Sequence, residues 1–376
     1  MRREKLGIER TTDTLLVKRM DYFLIVPILL LTTIGLFVLN KVLSDGFGDA
    51  YPGNLYRQVA AAFAGCVITL IICLLDISFM RPLGWCIYLA SVFLLILVPL
   101  DGFSLADQWG ADAWLNLPVI GNFQPSELAK IGLVMVAGDL FGQMSDNKIS
   151  FVKGFALIAL VYSFPVLLIL MQPDFGSCMV IVFSFVCILF VWGLKYRYFF
   201  LALSTAIVGG IPLVWLFYLE PYQKRRILSL VFEGSDPQAE YNLLRSQQCI
   251  ASGGLSGNKT GVSISVPVKW SDFIYSAISE HLGFIGTTAV IIVAFFFLCR
   301  ALYVASTTKR KAYSYIVTGL TGSFAFHFIE NMGMSVGLLP ITGIPLPFVS
   351  QGGTAMMVNF ISFGIILNIS MNRGAE

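Results

Sequence analysis

Four short groups of charged residues lie in or beside long apolar runs of the chain. They hold Glu127 with Lys130, Asp174, Arg226, and Asp272. Charge inside an apolar segment is costly, so such residues are candidates for function. Asp272 lies among aromatic residues, and an environment of that kind disfavours the charged form and raises the pKa of a carboxyl group. Asp272 is therefore a candidate general base.

The three acidic groups also have structural interpretations. Ser126 is expected to cap a helix whose first turn holds Glu127, with Lys130 one turn further on the same face. Glu127 and Lys130 could therefore form a structural ion pair. Asp174 could cap the helix that follows it, and Asp272 could cap the next one along the chain. From the residues alone, both interpretations stay open for each group.

A basic cluster with the sequence Tyr-Gln-Lys-Arg-Arg ends at Arg226. Arginine presents a planar fork of donors that fits the oxygens of a phosphate group. Contact with anionic lipid headgroups is the structural alternative. Both interpretations place an anionic group against the cluster.

The segment 337–353 is apolar, yet it holds three prolines and four glycines. Proline removes backbone donors and glycine permits unusual dihedral angles, so this stretch cannot be regular helix throughout. It lies between two long apolar runs. Irregular backbone at membrane depth is tolerated only where protein buries it or where it lines a cavity. We therefore expect the segment to shape the wall of a site at a membrane face.

The composition is typical of polytopic membrane proteins. Of the 376 residues, 57% are hydrophobic and only 12% are charged, whereas a soluble domain carries about 25% charged residues. The mean hydropathy is +0.79. The net charge of +3 is small and gives no indication of a nucleic-acid partner.

Ten apolar runs are long enough to span a membrane, so the sequence predicts an all-α membrane protein with ten transmembrane helices in a single domain, residues 1–376. The fourth run is the weakest, because it contains Glu127, Lys130 and Asp139. An even number of spans puts both termini on the same side. The predicted spans are residues 22–39, 58–75, 84–100, 126–143, 151–171, 175–193, 198–219, 273–298, 312–338 and 347–369.

The basic residues predict the orientation. If both termini are cytoplasmic, 16 of the 25 lysines and arginines lie on the inner side, in agreement with the positive-inside rule. The short outer loops then hold only Lys41 and Arg57. Six more lie in one long outer loop, 220–271, and long loops are exempt from the rule. The helix-like stretch 241–250 predicts that this loop is ordered.

A second outer loop, 101–125, has no lysine or arginine but contains Trp109 and Trp114. Tryptophan is enriched at membrane–water interfaces, so we expect this loop at the level of the lipid headgroups. It leads into the predicted span that holds Glu127 and Lys130.

Taken together and in this order, these features resemble the SEDS family, whose members include the RodA, SpoVE and FtsW types. The resemblance covers the chain from the first span to the last and is closer to the RodA or SpoVE type than to FtsW. The segment 337–353 matches the most distinctive stretch of the family. The other matching motifs are Gly110-Ala-x-x-Trp-Leu115, Gln124-Pro-Ser-Glu-x-x-Lys130, Gln172-Pro-Asp174, Tyr222-Gln-x-x-Arg226, Ser252-Gly-Gly254, Ser271-Asp-Phe-Ile274, Glu280-x-Leu-Gly283 and Asn331-Met-Gly-Met334.

The resemblance implies a glycosyltransferase of the bacterial cell membrane. Such enzymes polymerise lipid II into peptidoglycan glycan strands on the outer face and release undecaprenyl pyrophosphate, in elongation, division or sporulation. The implied partners are lipid II, the growing lipid-linked glycan, membrane lipids and a class B penicillin-binding protein. No definite cofactor is implied, although a divalent cation could stabilise the leaving group.

The resemblance also implies roles for individual residues. Asp272 corresponds to the essential aspartate of the family. The residues implied in substrate binding are Glu127, Lys130, Asp174, Arg226, Trp114, Ser350, Gly352 and Gly353.

Several positions on the predicted outer side depart from the family pattern. Ala113 stands where the family usually has arginine, and Gln351 where it usually has tyrosine. Val268 and Lys269 stand close before Asp272, where the family often has Glu-Arg. These departures leave open a catalytically weak scaffold that recruits a transpeptidase.

Charged residues inside the predicted spans leave a third interpretation open, a flippase for lipid-linked precursors. Glu127, Lys130, Asp139 and Glu330 would then line a polar pathway. His327 has no second histidine at ligand spacing, so a structural role is expected for it.

Overall fold

The computed structural model of the protein describes residues 20–45, 53–99, 113–117, 121–219, 221–229, 232 and 234–374. Residues 1–19 and the first part of the predicted outer loop 101–125, residues 101–112 with Trp109, lie outside these ranges. The described chain is mostly helical, as the sequence predicts. Its helices are α1 (Tyr22–Ser44), α2 (Gly53–Leu74), α3 (Met80–Leu97), α4 (Pro125–Ser145), α5 (Phe151–Met171), α6 (Phe175–Trp192), α7 (Tyr196–Thr205), α8 (Pro221–Leu228), α9 (Pro237–Ser252), α10 (Ile274–Thr307), α11 (Lys311–Val336) and α12 (Gly353–Met371).

Eight of the described helices are long and apolar enough to cross a membrane, namely α1 to α6, α10 and α12. The other two predicted spans, 198–219 and 312–338, are also helical. The second forms α11, which carries more polar residues than the others. Eight spans, rather than the predicted ten, are therefore supported by length and composition within the described residues.

The seventh predicted span is not a regular helix. After α7 the chain forms two π-helical turns, Ala206–Gly210 and Val214–Tyr218. Pro212 lies between them and lacks the N–H that a regular helix needs at that point. Residues 198–218 are therefore helical, as predicted, but do not form a regular α-helix throughout.

α4 lies at the centre of the bundle and is buried on all sides over most of its length. Small residues allow close approach of its neighbours. A side chain at Gly132 would meet the backbone of Tyr88 on α3, and one at Gly142 would meet Ala312 on α11. Close helix packing through small residues is characteristic of membrane bundles. This arrangement buries the charged residues of α4.

Two irregular segments interrupt the predicted spans near Asp272. Gly283 has φ +67° and breaks α10 into a short first part and a long second part. The last helix begins at Gly353 rather than at the predicted residue 347. Pro345 and Pro347 cannot donate backbone hydrogen bonds, and Phe348 has a positive φ of 63°. The segment 337–352 is irregular, as its composition predicts.

A two-stranded antiparallel hairpin adds a small β element to the all-α prediction. β1 (Leu115–Leu117) pairs with β2 (Gly121–Phe123), with Leu115 opposite Phe123. The Thr354 hydroxyl donates to the carbonyl of Asn122 at 2.8 Å. The hairpin therefore places Trp114, which directly precedes β1, near the start of α12.

Candidate active site

Side chains on one face of α11 form hydrogen bonds with successive residues of the irregular segment. His327, Glu330 and Asn331 share this face because they are three and four positions apart. The Asn331 amide donates to the carbonyl of Ile344 at 2.8 Å. Thr342 donates its hydroxyl to Glu330 at 2.8 Å.

His327 completes this set. Its Nδ1 lies 3.3 Å from the Pro345 carbonyl, and its Nε2 lies 3.1 Å from the Lys130 ammonium. An ammonium group only donates, so Nε2 accepts from Lys130 and Nδ1 carries the proton toward Pro345. His327 therefore has a structural role, as expected, because it links α4 to the irregular segment.

Three consecutive backbone carbonyls around Asp272 are each held by a different donor. Trp270 accepts from the backbone N–H of Gln351 at 3.0 Å. Ser271 accepts from the Ser350 hydroxyl at 2.7 Å. Asp272 accepts from the Asn331 amide at 2.8 Å. Asn331 thus joins Asp272 and the irregular segment through one amide group.

Gln58 on α2 closes the other side of the irregular segment. Its amide donates to the Ser350 carbonyl at 2.9 Å, and its carbonyl oxygen accepts from the N–H of Gly352 at 3.1 Å. The Ser350 hydroxyl also accepts from the N–H of Leu346 at 2.8 Å. Ser350 and Gly352, predicted to bind substrate, are thus part of the frame that fixes Asp272.

The carboxyl group of Asp272 faces Gly343 and lies within the electrostatic influence of Arg226. A Cβ added at Gly343 would lie 3.3 Å from Asp272 Oδ2. Arg226 donates to the Ile341 carbonyl at 3.4 Å and stacks over the ring of Tyr222. Desolvation raises the pKa of Asp272 from 3.8 to about 6, against the opposing effects of a hydrogen bond to Ser271 and the charge of Arg226. Asp272 therefore has the properties of a base near neutral pH.

The predicted caps have mixed outcomes. Asp174 caps α6, with its Oδ1 accepting from the N–H of Ser177 at 3.0 Å. Asp272 does not cap α10, whose N-terminal flanking residue is Phe273. Ser126 does not cap α4, because Pro125 starts the helix and Gln124 occupies the cap position. The prediction for Ser126 is therefore wrong.

Instead, Ser126 belongs to a second polar cluster, around Asp174. Asp174 Oδ2 accepts from the Ser126 hydroxyl at 2.8 Å and from the Gln124 amide at 2.9 Å. The capped end of α6 packs on the irregular segment, since a side chain at Gly176 would meet Ile344 at 3.1 Å. Asp174 thus has the structural role left open by the sequence.

Glu127 and Lys130 form the predicted ion pair, at 2.7 Å, and both are buried. They line a small cavity inside the bundle together with His327 and polar residues of α11 and α12. Lys130 is therefore linked to the irregular segment from the interior of the bundle, because His327 contacts both Lys130 and Pro345. Arg226 and Asp272 contact the same segment at Ile341 and Gly343.

The predicted site residues thus fall into two groups on one irregular segment. Asp272, Arg226, Ser350 and Gly352 form the first group, and Glu127 with Lys130 forms the second. Trp114 is half-buried at the hairpin. Gly353, the first residue of α12, has open space where a side chain would be.

The departures from the family pattern are accounted for in two cases. Ala113 is buried, so its position is not one that presents a side chain to solvent. Lys269 is buried and pairs with Glu280, so it is not exposed to a substrate. Gln351 contributes its backbone N–H to the frame of Asp272, a contact that any residue except proline could make.

Sequence reasoning missed Gln58, and it gave Asn331 no individual role. Both are uncharged polar residues in apolar runs, and the side-chain amide of each hydrogen-bonds backbone groups that are distant in the sequence. A buried amide has four hydrogen-bonding positions to satisfy. That requirement is the signal that could have marked them.

One described group of three residues has the spacing of metal ligands: Asp45, Glu280 and His281, with ligand atoms within 4.8 Å of one another. Glu280 already pairs with the Lys269 ammonium, which opposes the binding of a cation there. No step of the chemistry is assigned to a metal.

The fold and this site define a multi-pass helical membrane protein with a desolvated carboxylate beside an arginine. A family model described as "Cell cycle protein", covering the FtsW, RodA and SpoVE proteins, matches residues 21–375. The chain therefore belongs to this family.

The sequences of individual relatives align with this chain along nearly their whole length. Peptidoglycan glycosyltransferase MrdB of Escherichia coli (strain K12) is 29% identical over 353 residues, covering 92% of this chain and 94% of MrdB. Stage V sporulation protein E of Bacillus subtilis (strain 168) is 29% identical over 362 residues, covering 93% of this chain and 96% of that protein.

A solved structure supports the fold. One chain of a peptidoglycan synthase complex, studied for its coordination of polymerization and crosslinking, superposes with a TM-score of 0.80 at 27% identity. The match covers 95% of this chain and 99% of that chain.

Proposed function

We propose that the protein is a peptidoglycan glycosyltransferase that polymerises lipid II into glycan strands, with Asp272 as the general base. The observation that carries this proposal is the desolvated carboxyl group of Asp272 near Arg226, on a backbone whose carbonyls at residues 270–272 are each held by a hydrogen bond. Family membership and the relative named a peptidoglycan glycosyltransferase support it.

The base addresses the first difficulty of the reaction. The acceptor is a sugar hydroxyl, which is a poor nucleophile at neutral pH. A carboxylate within hydrogen-bond reach takes the hydroxyl proton as the new glycosidic bond forms. The pKa of Asp272, raised to about 6, keeps the group mostly ionised at neutral pH while making it a stronger base than an ordinary aspartate.

The leaving group is the second difficulty. The departing undecaprenyl pyrophosphate takes the electron pair of the broken bond and gains negative charge. Arg226 is exposed and can meet this charge with its fork of donors. Lys130, buried with Glu127 and His327, would act from inside the cavity.

One displacement of this kind inverts the sugar configuration. A single essential carboxylate fits such a mechanism, because a retaining mechanism needs a second carboxylate as nucleophile. The irregular segment 337–353 forms a wall between the two groups of charged residues.

The proposal includes a place and a partner. The end of the bundle that carries Asp272 faces outward, both termini are cytoplasmic, and residues 220–271 form an outer loop of a single membrane domain. The partner is a class B penicillin-binding protein, which cross-links the strands; the likeness to a chain of a polymerization and crosslinking complex supports it.

The purified protein incubated with lipid II tests the function. We expect glycan strands resolved by gel electrophoresis, without a second protein or with only the penicillin-binding partner. Transfer of lipid II across vesicle membranes without strand formation would indicate a flippase. The absence of both activities, with the partner bound, would indicate a scaffold.

A further inference from the structure

Lys269 and Glu280 form an ion pair that is sealed from solvent, with 1% of each side chain exposed. Ser263 and Ile264, which hydrogen-bond both members of the pair, belong to the loop before Asp272, and Glu280 belongs to the helix after it. The Lys269 ammonium donates to the Ser263 hydroxyl and the Ile264 carbonyl, both at 3.0 Å, and to Glu280. The pair thus closes the loop onto the first part of α10.

Glu280 is equally well satisfied. Its carboxylate accepts from the Ser263 hydroxyl at 3.0 Å and from the N–H of Ile264 at 2.6 Å, in addition to Lys269. A buried polar network whose members are all satisfied specifies a single arrangement. Asp272 lies between the two partners, three residues after Lys269 and eight before Glu280.

The backbone directly before Lys269 is strained. Val268 is β-branched yet has a positive φ of 52°, a conformation that persists only where the surroundings determine it. Its carbonyl accepts from the N–H groups of Ser271 at 3.1 Å and Phe273 at 3.4 Å, so this turn directly sets the direction of Asp272. The ion pair anchors the turn on its buried side.

Stability alone does not explain such a pair. Replacing a buried ion pair with apolar residues is often neutral or stabilising, because burying two charges is costly. This pair joins a residue before the candidate base to a residue after it, so it can fix the geometry of that base.

We infer that Lys269 and Glu280 are positioning residues, which hold the turn 268–273 so that the Asp272 carboxylate faces the acceptor hydroxyl. This inference rests on the proposed function of Asp272. The inference also gives a role to Lys269, one of the departures from the family pattern. A cation is kept at this position, where it stabilises the fold around the base rather than binding the substrate.

The test measures polymerisation per folded molecule for Lys269→Met, Glu280→Gln and Lys269→Arg. Small misplacements of catalytic groups can cost about 100-fold in rate. We expect the first two variants to lose about 10- to 100-fold in kcat with little change in KM. Lys269→Arg keeps the charge and should retain most of the activity.

The matched control is Arg300→Met, which breaks the Asp21–Arg300 ion pair on the same helix α10 but at its other end. It should lower thermal stability without changing kcat per folded molecule. If Lys269→Met does not fold, the double variant Lys269→Met/Glu280→Leu replaces it, since it leaves no unpaired charge.

Hydrogen exchange separates this inference from the proposed function. Without substrate, Lys269→Met or the double variant should exchange the amides of residues 262–273 faster than wild type, and Arg300→Met should not. An inactive wild type would overturn the proposed function only. Wild-type kcat in folded Lys269→Met or in the double variant, or unchanged exchange in 262–273, would overturn the positioning role.

Discussion

Asp272 combines desolvation with a nearby arginine, and the two act on it in opposite directions. Desolvation raises the pKa of the carboxyl group to about 6, and the charge of Arg226 limits that rise. The group is therefore both ionised and basic at neutral pH. At neutral pH the folded state therefore carries a charge that is less favourable there than in the unfolded state. Such a loss of stability is common where catalysis and stability compete.

The same balance predicts a stability effect with a definite sign. Because the folded pKa of Asp272 lies above its unfolded value of 3.8, the folded state binds more protons between these two pH values, and stability falls as the pH rises through them. Asp272→Asn does not titrate. Its melting temperature should exceed that of wild type at about pH 8, and the gap should shrink toward about pH 4.

Thermal unfolding in detergent at several pH values measures this difference. Arg300→Met serves as a control, because it should lower the melting temperature without reproducing the pH-dependent gap. A gap that stays constant across the range would mean that the pKa of Asp272 is not raised.

Glu127 and Lys130 predict a second residue-scale effect. Lys130→Met leaves a buried carboxylate without its partner, which typically costs about 3–5 kcal/mol. The double variant Glu127→Gln/Lys130→Met removes both charges and should recover much of that loss. Unfolding of the single and double variants measures the difference. Equal stability of the two would show that Glu127 is not held by this pair.

At the scale of elements, one amide and one irregular segment organise the site. α11 contacts the segment through His327, Glu330 and Asn331, and Asn331 also holds Asp272. The proline and glycine content predicted an irregular segment, but the contacts depend on partners brought together from distant parts of the chain. Sequence patterns carry no direct signal for such pairs.

Other elements show the same limit. The acidic first turn of α4 was predictable, whereas the role of Ser126 was not. Pro125 starts the helix, and the Ser126 hydroxyl donates to Asp174, which caps another helix. The seventh predicted span has the expected hydropathy, but Pro212 diverts its backbone into π-helical turns. Hydropathy predicts where apolar segments lie and not how proline shapes them.

Two glycines of the irregular region give a matched comparison. Gly343 has φ +76° and faces the Asp272 carboxylate, so Gly343→Ala is strained and crowds the base. Gly353 has open space around it and lies at the start of α12. We expect Gly343→Ala to lower kcat strongly, and much more than Gly353→Ala does.

Polymerisation rates normalised to folded protein measure this comparison. Equal rates for the two alanine variants would mean that the irregular segment does not approach the base as closely as the structure has it.

At the scale of the whole molecule, the bundle separates two kinds of polar contact. Asp272 and its frame lie where α11 ends and α12 begins. The Asp21–Arg300 ion pair, joined by Ser370, lies at the other end of these helices. Composition was enough to predict a helical membrane bundle, because apolar runs of this length have few alternatives. Which end faces outward follows only from the distribution of basic residues.

Cysteine labelling tests that orientation. Lys259→Cys lies in the proposed outer loop and Lys148→Cys between α4 and α5, and both positions are exposed. A membrane-impermeant thiol reagent should label Lys259→Cys in intact cells, and Lys148→Cys only after permeabilisation. The unsubstituted protein, with its seven cysteines, sets the background. The reverse pattern would place the site on the cytoplasmic side.

The rate of glycan polymerisation by purified Asp272→Asn, compared with wild type at equal amounts of folded protein, tests the central claim most directly. General-base catalysis contributes about 100- to 10,000-fold, so the variant should lose at least about 100-fold in kcat while still binding lipid II. A variant that polymerises within about threefold of wild type would show that Asp272 is not the base.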